Sequence, residues 1–297
     1  MVQRKEKLYL QNALFMLVAH VVGLYGFYVA ALGQWRRETL VLGGVMFCVS
    51  GLGITVGYHR LFTHRSFKCG EIVQTILAIA GTTAIQNTVK VWVSGHVHHH
   101  QETDKEGDPY NASRGFWYSH IGWILFKDPD RKKGDFSAAD HLMEDSWTAS
   151  LVNFQHEYYI PLAFLFSGLA PALIAWLWGD FWGGLVFAGF SRLILVWHAT
   201  FCINSIAHWK HWGSRQPYTR ANSSQDSWPV SIVTFGEGYH NYHHAFPGDY
   251  RNGPYWYNFD PSKWVIFGLS KIGLAKNLNR VPREKIERAR SAVLSLE

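Results

Sequence analysis

Cysteine is scarce in this chain. Cys48, Cys69 and Cys202 are scattered and form no CxxC pair. The sequence therefore offers no thiolate metal clip and no disulfide framework, and nothing in it demands an oxidising compartment. Cys48 and Cys202 lie in apolar stretches and read as small buried hydrophobes. There is no Gly-x-Gly-x-x-Gly fingerprint, which excludes a recognisable bound NAD(P)H or flavin domain. Neither a basic helix nor an aromatic RNA-binding motif accompanies the net charge of +6. Nucleic acid is thus the weakest partner for that charge, behind anionic lipid or an anionic substrate. Internal repeats and low-complexity tracts are also missing.

Long uncharged runs dominate what is present. Aromatic residues make up 16% of the chain, with 14 Trp and 14 Tyr, a load suited to interfacial belts at a membrane. A hydrocarbon core of about 30 Å takes roughly 20 apolar residues as helix. Residues 8–32 and 39–58 meet this, and their short linker predicts a helical hairpin. Residues 158–178 and 181–206 predict a second hairpin, turned at Gly179 and Asp180. Arg4, Lys5 and Lys7 precede an apolar run too long for a cleavable leader, so this start reads as a retained signal-anchor. Arg192 inside the fourth span is expected to snorkel or to face other helices. Residues 72–89 are long enough to cross but carry Gln74, Thr75, Thr82, Thr83, Gln86, Asn87 and Thr88. A crossing there would put the histidines at 59 and 64 and those at 96–100 on opposite faces. An interfacial or re-entrant helix is expected instead. The Lys and Arg flanks place both termini and the histidine clusters on the cytoplasmic side, of a bacterial inner membrane or of the endoplasmic reticulum. The expected fold is a single all-α integral membrane domain over 1–297, with four spans, a helical cytoplasmic cap and a charged tail helix over about 283–297.

Sixteen histidines are the main chemical signal, and most fall in tight clusters. They are His59 and His64, then His96 and His98 to His100, then His240, His243 and His244, with Asn204 and His208 between the last two. Successive helical residues turn by about 100°. His96, His99 and His100 share a helix face, as do His240, His243 and His244, whereas His98 points away and is read as a non-ligand. His59 and His64 are five apart, too far around an α-helix, so a kink or helix end is expected between them. Imidazole is the commonest transition-metal ligand, and an almost pure imidazole set of nine exceeds what one ion can hold. Two iron ions suit it, with oxygen chemistry. Asn204 offers a weak carbonyl ligand or a partner for a metal-bound water. Asp104, Asp108, Glu102 and Glu237 are expected to accept imidazole N–H bonds from outside. His20, His120, His141, His156, His198 and His211 stand alone and read as structural.

On these residues the chain resembles the membrane-bound fatty acyl desaturases of the stearoyl-CoA (delta-9) type. The matching segments are GITVGYHRLFTHRSF at 53–67, DPYNASRGFWYSHIGW at 108–123, NSIAH at 204–208 and GEGYHNYHHAFPGDY at 236–250. The likeness runs from about residue 8 to 282. It implies a four-span di-iron protein with ligands at His59, His64, His96, His99, His100, His208, His240, His243 and His244, and Asn204 acting through water. It also implies a bent acyl tunnel at Gln86, Trp92, Thr200 and Phe201, ending near Phe47 and Gly51, where Gly51 leaves room to lengthen it. The implied reaction is O2-dependent insertion of a cis double bond into a saturated acyl chain, with electrons from a separate cytochrome b5 or ferredoxin-type donor. No His-Pro-Gly-Gly motif of a fused cytochrome b5 occurs. The family often has an Arg-Asp pair where Ser94 and Gly95 stand here, and a doubly basic pair where Lys127 and Asp128 stand. Acyl-CoA, phospholipid-borne and carrier-protein-borne chains are therefore all open at this point. So are a sister di-iron lipid hydroxylase and a non-catalytic haem- or metal-binding membrane protein.

Overall fold

The computed structural model describes residues 7–127 and 135–295. Arg4 and Lys5 of the expected signal-anchor, and Asp128, lie outside the described residues. The architecture is helical, with three two-stranded pairs of two residues per strand.

Four helices are long and apolar enough to cross a membrane: α1 (Leu10–Ala31), α2 (Arg37–Thr63), then Tyr159–Trp176 and Phe181–His208. Each reaches about 27 Å or more at 1.5 Å per residue. Between the hairpins lie the short helices α3 (Glu71–Thr82), α4 (Val89–Glu102) and α5 (Ser146–Glu157). The third and fourth spans are α6 and α7. The cap then adds α8 (Trp228–Val233), α9 (His240–Ala245), α10 (Pro261–Lys271) and α11 (Arg283–Leu294). Leu14, Leu17, Val21 and Leu24 of α1 are exposed, an apolar flank that hydrocarbon would cover.

Turn chemistry explains both hairpins. Gly33 and Gly179 adopt φ of 69° and 78°, a left-handed conformation that costs glycine nothing. Asp180 opens α7 and accepts from the Gly183 N–H at 3.1 Å and from the Thr39 hydroxyl at 2.5 Å, which ties the two hairpins at that end. Ser191 on α7 donates to the Gly23 carbonyl at 2.7 Å, a close approach that the small residues of α1 permit.

Two expectations are corrected here. The segment 72–89 is not one helix: α3 stops at Thr82, the chain turns through Ile85 (φ 48°) and Asn87 (φ 74°), and α4 starts at Val89. The Thr88 hydroxyl caps α4 by accepting from the Val91 N–H at 3.3 Å, because such side chains compete with the helix for its own backbone. At 12 residues, α3 is about 18 Å long, shorter than a bilayer core of about 30 Å. Cys48 is exposed on α2 and Cys202 only half-buried, so neither is a core residue. Arg192 takes the second of its two expected placements and faces other helices. It is 2% exposed and donates to the carbonyls of Thr83, Ala188 and Ser167 and to the hydroxyls of Ser50 and Ser167. All five guanidinium N–H groups are thereby used, and the side chain clamps α2, α6 and α7 to the turn after α3.

The largest core cluster joins α2, α3, α4 and α10 through Tyr58, Phe62, Leu77, Val93 and Ile266. α3 crosses α2 at glycine. A Cβ on Gly53 would lie 2.3 Å from both the Ala80 carbonyl carbon and the Gly81 nitrogen. Gly53→Val is therefore expected to cost about 3 kcal/mol, the upper part of the usual overpacking range. It should lower the thermal midpoint in detergent, while Gly44→Val, with nothing within 4 Å of its Cβ position, leaves the midpoint unchanged.

Candidate metal centre

The lower end of α2 is a π-helix, Gly53–Thr63. Its wider turn closes backbone bonds five residues apart, and the His64 N–H donates to the His59 carbonyl at 3.1 Å. Residues five apart therefore stack on one face, which removes the misfit of the His59–His64 spacing. π-turns of this kind recur at functional sites.

Nine histidines converge in two groups. His59, His64, His96, His100 and His243 form one; His99, His208, His240 and His244 form the other. Within each group the potential ligand atoms lie within 4.8 Å of one another. α4 and α9 contribute in a crossed pattern. His96 and His100 go to the first group and His99 to the second, while His240 and His244 go to the second and His243 to the first. The expected shared helix face is thus an edge that serves two centres. His98 belongs to neither group. Asn204 is buried in the last stretch of α7, four residues before His208.

Four of the outward ring nitrogens are anchored, whereas those of His240 and His243 are buried without a partner. His59 Nδ1 lies 2.9 Å from the Glu237 carboxylate, and His99 Nδ1 lies 2.9 Å from Asp108. His96 Nδ1 faces the Tyr110 hydroxyl at 3.2 Å. His208 Nδ1 meets the Ser223 hydroxyl at 2.8 Å, and Ser223 donates to Asp104 at 2.7 Å, so Asp104 acts through that serine. A carboxylate only accepts, so it fixes the proton on Nδ1 and leaves a bare lone pair on Nε2. Inside the groups the Nε2 atoms face one another: His59 and His243 at 3.0 Å, His100 and His243 at 2.8 Å, His99 and His244 at 3.2 Å, His208 and His240 at 3.1 Å. Lone pairs converging at this distance repel unless a cation lies between them. The donor set therefore fits a metal in each group.

Electrostatics agree. Burial first, and neighbouring imidazoles second, hold His64, His96, His100, His240, His243 and His244 well below the usual 6.5. At neutral pH these rings are uncharged, the form that binds metal. Burial alone would raise Glu237, but His59 and Arg60 outweigh it and hold the carboxylate below its usual range. Arg60 is 1% exposed and pairs with Glu237 at 2.8 Å and Asp260 at 3.0 Å. Asp260 also caps α10 by accepting from the Lys263 N–H at 3.0 Å. That network locks α2 to α10 behind His59. Arg60, Tyr110, Ser223 and Asp260 were not foreseen, although Arg60 sits inside the first histidine motif. Glu102 is corrected: it takes no imidazole N–H and faces Lys105 at 3.7 Å on the surface.

Beside the first group, Trp92 stacks on His96 with ring centroids 4.9 Å apart. Its indole N–H faces the Gln86 amide oxygen at 3.4 Å, and Gln86 donates to the Thr200 hydroxyl at 2.8 Å. Phe201 packs with Met16, Ile194 and Trp197. Farther along α2, a Cβ on Gly51 would lie 2.1 Å from the Phe235 ring, and Phe47 meets the same ring at 5.4 Å. The room expected at Gly51 is therefore already filled by Phe235. Ser94 is buried, with its hydroxyl 3.4 Å from the Asp135 carbonyl.

Comparison with known proteins gives consistent matches. Residues 38–266 match the fatty acid desaturase family model. The chain is 41% identical over 269 residues to the probable acyl-CoA desaturase of Schizosaccharomyces pombe, covering 90% of this chain and 54% of that protein. It thus spans about half the length of that relative. It is 37% identical over 290 residues to the acyl-CoA Delta(11) desaturase of Spodoptera littoralis, covering 96% of this chain and 83% of that protein. Stearoyl-CoA desaturase 2 of Mus musculus is 36% identical over 278 residues, with 93% and 76% covered.

Metal analysis of the purified chain is expected to find about two ions per molecule, because the two groups offer five and four imidazoles. Glu237→Gln should weaken metal retention by about 10–100-fold in a chelator competition, the usual effect of losing an anchoring partner. The acid dependence follows from the neutral buried rings. The unfolded chain takes up protons below the usual 6.5, and the folded rings do not. Stability and metal retention are therefore full above pH 6.5 and fall as the pH drops below it, a trend that thermal melts and metal release across pH 5–8 would check.

Proposed function

The chain belongs to the fatty acid desaturase family, and on that premise we propose that it is an O2-dependent acyl desaturase that inserts a cis double bond, at the delta-9 position, into a saturated chain carried as acyl-CoA. The observation that carries this reading is the two-group histidine centre with Trp92, Gln86 and Thr200 joined to its side.

The nine histidines would hold two iron ions, with Asn204 acting through water. Iron bound there supplies, with O2, the oxidant for two successive hydrogen removals. Everything else is positioning. A saturated chain offers no polar handle, so the reacting carbons are chosen by how the chain is bent and how deep it reaches. Gln86, Trp92, Thr200 and Phe201 form the bend. Phe47, Gly51 and Phe235 form the floor. Glu237 and Asp108 keep their histidines aimed at the metal through the cycle. Two electrons per turnover come from a separate cytochrome b5 or ferredoxin-type donor, whose acidic face is drawn to a chain of net charge +6. The centre faces the cytoplasm, in a bacterial inner membrane or the endoplasmic reticulum.

One observation favours a second carrier. Position 94 is a buried serine, so it presents no cation to CoA phosphates. Phospholipid-borne or carrier-protein-borne chains are the alternative substrates.

Expression in a desaturase-deficient host should yield a new double bond, whose position is read by mapping extracted lipids. An alcohol in place of an alkene would overturn the reaction in favour of a hydroxylase. Purified enzyme should act on acyl-CoA in preference to acyl phospholipid and acyl carrier protein offered side by side. Phe235→Ala should shift the product profile toward longer acyl chains. An unchanged profile would remove the Phe47, Gly51 and Phe235 cluster from the tunnel floor.

A further inference from the structure

A second set of histidines lies outside the metal centre, in a continuous chain. His20 of α1 donates from Nδ1 to the Met16 carbonyl at 2.7 Å. Its Nε2 lies 3.1 Å from His198 Nε2 on α7. His198 Nδ1 lies 3.0 Å from His120 Nε2, on the π-turn Tyr118–Gly122. His120 Nδ1 lies 2.9 Å from the Ser205 hydroxyl, which in turn lies 2.7 Å from the Phe201 carbonyl.

Counting hydrogens gives this chain an unusual property. Its five contacts run between two carbonyl oxygens, and each contact needs one hydrogen. Three neutral imidazoles carry one N–H each and the serine one O–H, which makes about four in all. The neutral chain always leaves one contact unmade, and a single added proton completes all of them. The gap moves along the chain when the rings switch tautomer. An aromatic face lines the path, since Phe116 stacks on His120 at 5.4 Å. Such a face favours a transient imidazolium. Burial holds His120 below its usual range, against a weaker opposing bond from Phe201, so a proton taken up by the chain is readily released.

The Ser205 end opens on a cavity of about 270 Å³ whose lining includes Ser119, Ser205, His208, Trp209 and Lys210. His208 belongs to the four-histidine group. The other end stops inside α1 at Met16.

We propose that His20, His198, His120 and Ser205 form a one-proton store that discharges through Ser205 into the cavity shared with His208. The proton's use rests on the desaturase reading. In that reaction one acyl CH2–CH2, one O2, two electrons and two protons give one CH=CH and two waters. Two C–H bonds and the O–O bond break, and four O–H bonds and the second C–C bond form. O2 takes two electrons from the acyl chain and two from the external one-electron donor. The store provides one of the two protons and refills from water in the cavity.

Nitrogen-15 NMR of the full chain, labelled at histidine in detergent micelles, tests the store without any turnover. On acidification the three rings should respond together and take up one proton between them. In His198→Leu the link is cut, and His20 and His120 should titrate separately. Three independent titrations in the unaltered chain would overturn the store. With iron and donor supplied, His120→Ala and His198→Leu should slow double-bond formation by about 100-fold, the low end for a positioned proton transfer. They should also release peroxide and enlarge the solvent deuterium isotope effect, with iron content unchanged. His120→Asn keeps a hydrogen-bonding side chain but cannot relay a proton. If it restores unaltered rate and coupling, the chain is structural and the proposal fails. If the unaltered enzyme makes no double bond at all, the desaturase reading fails, while the NMR result still decides the store.

Discussion

The arrangement of the whole cap follows from one constraint: nine imidazole lone pairs are aimed at two small volumes, and lone pairs repel. Holding them there takes an acceptor behind the ring at each anchored position. Glu237 behind His59 and Asp108 behind His99 are carboxyl acceptors in a buried setting, the strongest available kind. Glu237 would itself be costly to bury without Arg60, and Arg60 is held by Asp260, which caps α10. The aim of one histidine therefore reaches, through three charged residues, to the packing of a helix far along the chain.

The membrane-length helices serve this constraint in a second way. α2 and α7 run on beyond the apolar stretch, α2 carrying His59 in its last turn and α7 ending at His208. Their ends must be fixed relative to each other, and Arg192 does so by saturating all its donors on neutral oxygens of α2, α6, α7 and the turn after α3. A carboxylate partner would neutralise the guanidinium but fix only one neighbour.

Much of this was legible in the residues. Four apolar runs predicted four membrane-length helices, since length and uncharged composition are local properties. The i, i+3, i+4 spacing singled out His98 as the odd member, because angular position on a helix is also local. The crossed assignment of His99 and His243 was not legible. It depends on how α4 and α9 face each other across 140 residues of chain, which no spacing encodes. The break after Thr82 was hidden because threonine, glutamine and asparagine fit a polar helix as readily as a cap. Glu102 was misread because proximity in sequence says nothing about which way a helix end faces. His20, His120 and His198 looked isolated because they are brought together only by the packing of α1, α7 and a π-turn.

The crossed donation from α4 and α9 has a consequence for how the centre behaves as a unit. Each helix lends donors to both groups, so a rigid displacement of either one disturbs both groups at once. With an ion in each group, neither could be loosened while its neighbour stayed gripped. The pair is mechanically ganged, and demetallation should be all-or-none, without a long-lived half-filled species.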